Sequence, residues 1–415
     1  MVKKNYDWKG GASLDPHTKK KHTILSDYFR QYLLTRCQLP QMEKFRLVVV
    51  DGFAGGGVYK CGTYGSPLIF ADTLNKTLKE INIKRVSEGL RPIVIDCLLL
   101  LNDNCQETLL MLKENITPLL AEIRDENRNL SLNVEYSSTK FEDIYPQIKI
   151  RVQETKCGNV LFNLDQCGYS QVTTQIIRNI MHSWKSAEII LTFMIKSLLT
   201  YISPDQKVNG VPLEALLQEK IDAILESPEE LINKPEWLGS VEQITFSHLK
   251  ECAPFVSPFS INNPDGWRYW LMHFANSYRA RQVYNNILHD NENAQAHFGR
   301  AGLNMLSYNP QHEGQLYMFD TVSRTAGKND LYDDIPRKIA EFGDTLGVED
   351  FYRAAYNETP AHSDDIHEMM IENPDVEVIT ESGGERRKPN TIKPSDTLKL
   401  KDQKTMFSMF SGKIK

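Results

Sequence analysis

The sequence predicts an α/β protein built on a doubly wound, mostly parallel sheet with helices on both faces. Three observations carry that prediction. Strand-like and helix-like segments alternate through the first half of the chain, the order that a parallel sheet requires. The strand-like segments are nearly continuously apolar, as in Val94-Ile95-Asp96-Cys97-Leu98-Leu99-Leu100-Leu101, which is how a strand buried on both faces reads. Finally, Arg46-Leu47-Val48-Val49-Val50-Asp51-Gly52-Phe53-Ala54-Gly55-Gly56-Gly57 sends an apolar strand straight into a loop almost without side chains, where doubly wound proteins hold a ligand.

The elements follow in order. Asp15 to Tyr28 packs charge and histidine at the start of an amphipathic helix. Strands are expected at Phe45 to Val50, Ile93 to Leu101, Leu130 to Ser137, Val160 to Asp165 and Glu188 to Phe193. Helices are expected between them at Pro67 to Arg85, Gln106 to Arg128, Phe141 to Glu154 and Val172 to Trp184. Pro204, Pro212, Pro228 and Pro235 then punctuate residues 197–266, read as a helical insertion. Trp267 to Ala275 and Gln282 to Leu288 are read as two closing antiparallel strands, which completes a domain over residues 1–325.

A second domain is expected over residues 330–400, after the glycine-containing link Thr325-Ala326-Gly327-Lys328-Asn329. Its helices are Leu331 to Leu346, Val348 to Tyr356 and Ser363 to Asn373, with Ser363 as N-cap. Val376 to Thr380 and Thr391 to Leu400 form a hairpin about Gly383-Gly384-Glu385-Arg386-Arg387, so the module reads as a winged helix. Residues 401–415 are read as a flexible tail.

Composition bounds the function. With 415 residues, 41% hydrophobic and 25% charged, the chain has the composition of a soluble protein of two or three domains. No apolar run reaches transmembrane length, and Met1 to Trp8 lacks the apolar core of a signal peptide, so a cytoplasmic protein without a membrane partner is expected. Seven scattered cysteines without a C-x-x-C pair argue against disulfides and against a zinc or iron–sulfur site, and no metal is expected. From Glu385 onward nine Lys/Arg stand against three acids, on a chain whose total charge is −6. A basic end on an acidic body reads either as a polyanion-facing surface or as a solvated tail.

The glycine loop is the main chemical signal. It lacks the Lys-Ser/Thr pair of a phosphate loop, and its order is not G-x-G-x-x-G. Asp51-Gly52-Phe53-Ala54-Gly55, with Gly57, resembles the first motif of class I methyltransferases. That resemblance implies S-adenosylmethionine as cofactor, held by Asp51, Gly52, Phe53, Ala54, Gly55 and Gly57. The second strand ends Leu101-Asn102-Asp103-Asn104, so the group that meets the ribose hydroxyls is Asn102 or Asp103. Glu142 either contacts the adenine or simply opens a helix behind Ser138-Thr139-Lys140. At the end of the fourth strand, Asp165 is placed to accept from a target amine and Tyr169 to stack on a flipped base. Cys167 lacks the neighbouring proline of a cytosine-methylating nucleophile. Lys21 and His22 face either the pocket or solvent.

Taken together, Lys21-His22 with Tyr28, Val50 to Tyr59, Gly65-Ser66-Pro67-Leu68, Asp165 with Gly168-Tyr169 and the terminal module resemble the three-Cys-motif partner protein family, over most of the chain. The resemblance implies a class I methyltransferase-like fold joined to a winged helix. It also implies a role in DNA modification or repair beside a radical-SAM-like protein bearing three cysteines. Gln166-Cys167 and Asn102 depart from the family pattern, both on the catalytic face.

Two partner signals remain. The third helix of the terminal module is acidic, so DNA contact is expected from Arg386, Arg387 and Lys388, with protein contact through the helix as the alternative. The tail resembles a sliding-clamp-binding peptide, anchored by Gln403, Met406 and Phe407 in one reading and by Gln403, Met406, Met409 and Phe410 in the other. Two functions follow: a SAM-dependent methyltransferase acting on nucleic acid, or a non-methylating DNA-repair partner recruited through a clamp. A nuclease is a third reading, without a spaced metal motif to support it.

Overall fold

The computed structural model describes residues 8–166, 170–195, 234–262, 268–291, 296–297, 302–304, 306, 316–317 and 320–401. The chain divides into two units, Met1–Ile287 and Leu288–Lys415.

The first unit is built on one sheet. Strands β1 (Lys44–Asp51), β2 (Val94–Asn102), β3 (Leu130–Ser137), β4 (Asn159–Leu164) and β5 (Ser186–Phe193) are parallel. They are joined through α2 (Ser66–Ser87), α3 (Gln106–Glu126), α4 (Phe141–Glu154) and α5 (Thr174–Ser183), and α1 (Pro16–Arg36) precedes them. Each strand boundary lies within two residues of the expectation, most plainly where the strands are buried on both faces, as Val48, Val49, Val50, Val160, Leu161 and Phe162 of β1 and β4 are; β3, at the sheet edge, has only Leu130 buried. The local signals also hold, with Pro67 in the first turn of α2 and Thr173 Oγ1 accepting from Ile176 N at the start of α5.

The sheet closes with β6 (Phe255–Ser257), β7 (Ser260–Asn262) and β8 (Arg268–Ala275), with β8 antiparallel to β5. Its strand order is β3-β2-β1-β4-β5-β8-β6, and β7 also pairs with β8. Of the expected helical insertion, the described part holds α6 (Lys234–Lys250) and also β6 and β7. Gln282 to Leu288, expected as a strand, lies in helix α7 (Tyr278–Asp290). Val283, Tyr284, Ile287 and Leu288 keep the spacing of one helix face, but Arg281, Gln282 and Asn285 are buried with them, and so short an apolar stretch does not separate a buried helix from a core strand.

In the second unit a short pair, β9 (Ala296–His297) and β10 (Leu316–Tyr317), comes first. Then α8 (Thr321–Glu341), β11 (Thr345–Gly347), α9 (Val348–Ala355), α10 (Ser363–Glu372), β12 (Val376–Ile379) and β13 (Thr397–Leu400) follow in sequence. The antiparallel sheet runs β11-β13-β12. The expected link 325–329 lies inside α8, which is capped by Asp320 and held to α10 by Arg324 and Lys328, so tertiary ion pairs override the glycine signal. The N-cap of α10 is His362, whose Nδ1 accepts from Asp364 N at 3.1 Å, and Ser363 is the first helical residue.

Candidate functional site

The strand order reverses between β1 and β4, and in open parallel sheets ligands bind beyond the carboxyl ends of the strands at such a switch point. Asp51 and Asn163 are register partners across that junction. The loop leaving β1 is tied to both neighbouring strands: Gly52 N donates to Asn163 O at 3.0 Å, Ala54 N to Asn102 O at 2.8 Å and Gly55 N to Asp103 Oδ2 at 3.0 Å. Gly55 and Gly57 turn the loop with φ of +62° and +86°, values that side chains rarely adopt. Gly65 N then donates to Gly57 O at 2.7 Å, so the Gly65-Ser66-Pro67-Leu68 motif both closes the loop and starts α2.

Asp51 is fully buried, and among the described residues its Oδ2 has no partner within hydrogen-bond geometry. Burial pushes its pKa up to about 7, against the pull of the Ser66 hydroxyl, the Phe53 N–H and Asn163, while the nearby Asp165 charge raises it further. Asp165 is held the opposite way. Burial raises its pKa, but Lys21, whose Nζ donates to both carboxylate oxygens at 2.6 and 2.8 Å, together with the Thr192 hydroxyl and His22 turns the net shift downward. His22, beside Lys21, is pushed down to about 4 by burial and by the Lys21 charge, so it is neutral at pH 7. Lys21 and His22 therefore stand with the acid of strand four, 144 residues away in sequence.

Asn102 does not face outward. Its Nδ2 donates to Gly52 O at 3.1 Å and Thr139 O at 2.9 Å, and its Oδ1 accepts from Ser137 Oγ at 2.8 Å. These bonds hold the buried carboxyamide as a pin between loops, whereas Asp103 is half-buried and keeps acceptor capacity beyond its bonds to Gly55 N and Cys105 N. Glu142 is exposed in the first turn of α4, whereas its neighbour Phe141 is buried 5.6 Å from the Phe53 ring. Gln166 turns inward and its Oε1 accepts from Gln171 N and Val172 N. Cys167, Gly168 and Tyr169 lie outside the described residues, as do Gln403, Met406, Phe407, Met409 and Phe410.

Trp8 carried no sequence signal. Its indole lies directly on the loop, so that a Cβ on Gly55 would stand 2.5 Å from the ring and one on Gly56 2.7 Å. The indole also packs 5.1 Å from Tyr59. These two glycines thus answer to an aromatic ring of the same chain.

In the second unit, Arg386 is engaged by Asp396 through two bonds of 2.9 and 3.0 Å, while Arg387 and Lys388 are exposed. Arg386 is a structural cation rather than a free one. Two of the four acids of α10 are spent in the same manner: Asp365 takes Arg324 at 2.7 and 2.8 Å, and Glu368 takes Lys328 at 2.5 Å.

No group of His, Cys, Asp and Glu side chains with metal-binding geometry occurs among the described residues, and no described helix is long and apolar enough to cross a membrane. No family model and no curated protein matches the chain. Among solved structures it is similar to one described as "a putative O-methyltransferase from Klebsiella pneumoniae", at 12% identity over 66% of this chain and 96% of that chain, with a TM-score of 0.26. A likeness of that size carries no argument about function.

Proposed function

We propose that this chain binds S-adenosylmethionine at the carboxyl edge of its sheet and serves in DNA modification or repair, as the three-Cys-motif partner family that it resembles implies. One observation carries the reading: Asp51, Asp103 and Asp165 converge on a left-handed glycine loop at the switch point of a parallel sheet. In this reading Asp103 accepts from the ribose hydroxyls and the loop N–H groups meet the cofactor's polar end. S-adenosylmethionine supplies an electrophilic methyl group when bound. Asp165, kept ionised by Lys21, orients an acceptor amine by accepting its N–H and is a weak store for the proton that leaves.

A specific observation favours a second reading. Both oxygens of Asp165 already accept from Lys21, which suits a protein that keeps the fold and the cofactor but transfers no methyl group. The terminal unit is read as a winged helix on its order of helix, strand, helix, helix, strand, strand, with Arg387 and Lys388 supplying phosphate contacts. A radical-SAM three-Cys protein and a sliding clamp are its proposed partners.

Calorimetry of the full chain with S-adenosylmethionine and its demethylated product tests the cofactor, and labelled-methyl transfer to DNA tests the chemistry. Binding with transfer that Asp165→Asn abolishes supports the methyltransferase. Binding without transfer to any nucleic acid supports the second reading, and binding of neither compound sinks both.

A further inference from the structure

The parallel strands have a second edge. Where β1 and β4 begin, a cleft of about 780 Å³ opens between α1, the strand starts and the first turn of α7. Its wall carries five cationic side chains, among them Arg36, Arg46, Lys156 and Arg279, and a single carboxylate, Glu188. That carboxylate is turned to internal use: the Tyr28 hydroxyl donates to it, and His273 Nε2 lies 2.9 Å from the same hydroxyl. The fifth cation, Lys44, is paired with Asp96 at 2.5 Å, whereas Arg46 and Lys156 are exposed and make no ion pair among the described residues.

Two features separate this cleft from an ordinary solvated basic surface. Arg36 is oriented, with a guanidinium N–H donated to Asn159 Oδ1 and its carbon 6.0 Å from the Tyr32 ring centre. Tyr32, which lines the same cleft, has a buried hydroxyl with no hydrogen-bond partner among the described residues. A buried polar group is normally satisfied, so this one is an open hydrogen-bonding valence directly behind the cleft wall. The remaining wall mixes apolar and aromatic surface, including Phe45, Leu39 and Val283, with the neutral polar side chains of Thr35, Gln38 and Ser277. Several guanidinium and ammonium groups beside aromatic surface, in a cavity of this size, match an anion attached to a planar ring.

We infer that this amino-terminal edge is a second binding site, for a small organic phosphate of nucleotide size, separate from the cofactor site on the opposite edge. The phosphate is met by Arg36, Arg46 and Lys156, and the ring lies along the apolar wall by Tyr32.

The experiment is calorimetry of the full chain with adenosine 5′-monophosphate, uridine 5′-monophosphate and inorganic phosphate, on the native protein and on an Arg46→Glu/Lys156→Gln double variant. Both changes are on exposed side chains, and retained thermal melting shows that the variant is folded. The expected result is saturable binding of a nucleoside monophosphate that the double variant weakens by at least about tenfold, with S-adenosylmethionine titrations unchanged. Inorganic phosphate is expected to bind more weakly than either nucleotide. No saturable nucleotide binding, or equal binding by the double variant, overturns the site; phosphate binding as tight as nucleotide overturns the assignment of the ring.

Discussion

The two edges of the central sheet handle charge in opposite ways. At the carboxyl edge the strand ends carry acids, and each is held by its surroundings: Asp51 by burial, Asp103 by the Gly55 and Cys105 N–H groups, Asp165 by Lys21. At the amino edge the groups are cations, and Arg46 and Lys156 stay exposed around a cleft. A parallel sheet makes the edges unequal, because helices start after the strands' carboxyl ends and finish before their amino ends. Ser66 at the start of α2 pulls on Asp51, while Arg36 sits in the last turn of α1, so each edge carries the sign that the neighbouring helix ends favour. Helix polarity thus accounts for the sign of each edge. It does not account for a carboxyl left at pKa about 7, or for a tyrosine hydroxyl left without a partner.

The largest effect expected from breaking this contrast is at Asp51. Its folded pKa of about 7 lies above that of an unfolded aspartate, so the folded state holds the proton longer and stability falls as pH rises from about 4 through 7. Asp51→Asn should remove that slope and gain up to about 4 kcal/mol at pH 8, since three pKa units correspond to about that much. Urea unfolding at pH 5 and pH 8 reads it; an unchanged slope would mean that Asp51 is already compensated.

A smaller effect is expected at Lys21. Lys21→Ala strands a mostly buried carboxylate and should cost about 1–3 kcal/mol at pH 7. Lys21→Ala/Asp165→Ala should cost less than the two single changes together, and strict additivity in this double-mutant cycle would deny the pair.

The smallest change in stability is expected at Trp8. Trp8→Ala removes a half-buried ring and should cost about 1 kcal/mol. The same change uncovers Gly55 and Gly56 and should tighten S-adenosylmethionine binding by roughly threefold by calorimetry. Weaker binding in that variant would make the indole part of the seat instead of its cover.

How much of this was legible in the chain depends on whether the signal was local. Strands β1, β2, β4 and β5 are legible because double-sided burial demands near-continuous apolar runs, edge strand β3 by its alternating Leu130, Leu132 and Val134, and the glycine loop because positive φ and a close backbone approach demand glycine. Helix α7 reads as a strand because its apolar stretch is short and Arg281, Gln282 and Asn285 are buried with Tyr284, so polarity there does not report which side faces the core. Residues 325–329 read as a link, yet Arg324 and Lys328 secure them as helix against Asp365 and Glu368, about forty positions later. Asn102 looked like a weak substitute for a ribose-binding acid, and only its three bonds reveal a pin. Arg386 looked like a phosphate contact until Asp396 was seen to hold it.

By itself the sequence determined the parallel sheet, the glycine loop at its switch point and the presence of Asp51, Asp103 and Asp165 along the strand ends, because all of these follow from short-range pattern and from what backbone geometry permits. Only the tertiary structure decided what those groups do to one another. Lys21 reaches Asp165 across 144 residues, Trp8 lies on the loop, and the Arg36, Arg46 and Lys156 cleft forms at the far edge. The physical reason is that burial and charge pairing are properties of neighbours in space, and no local pattern records which distant residue the fold will place beside a carboxylate.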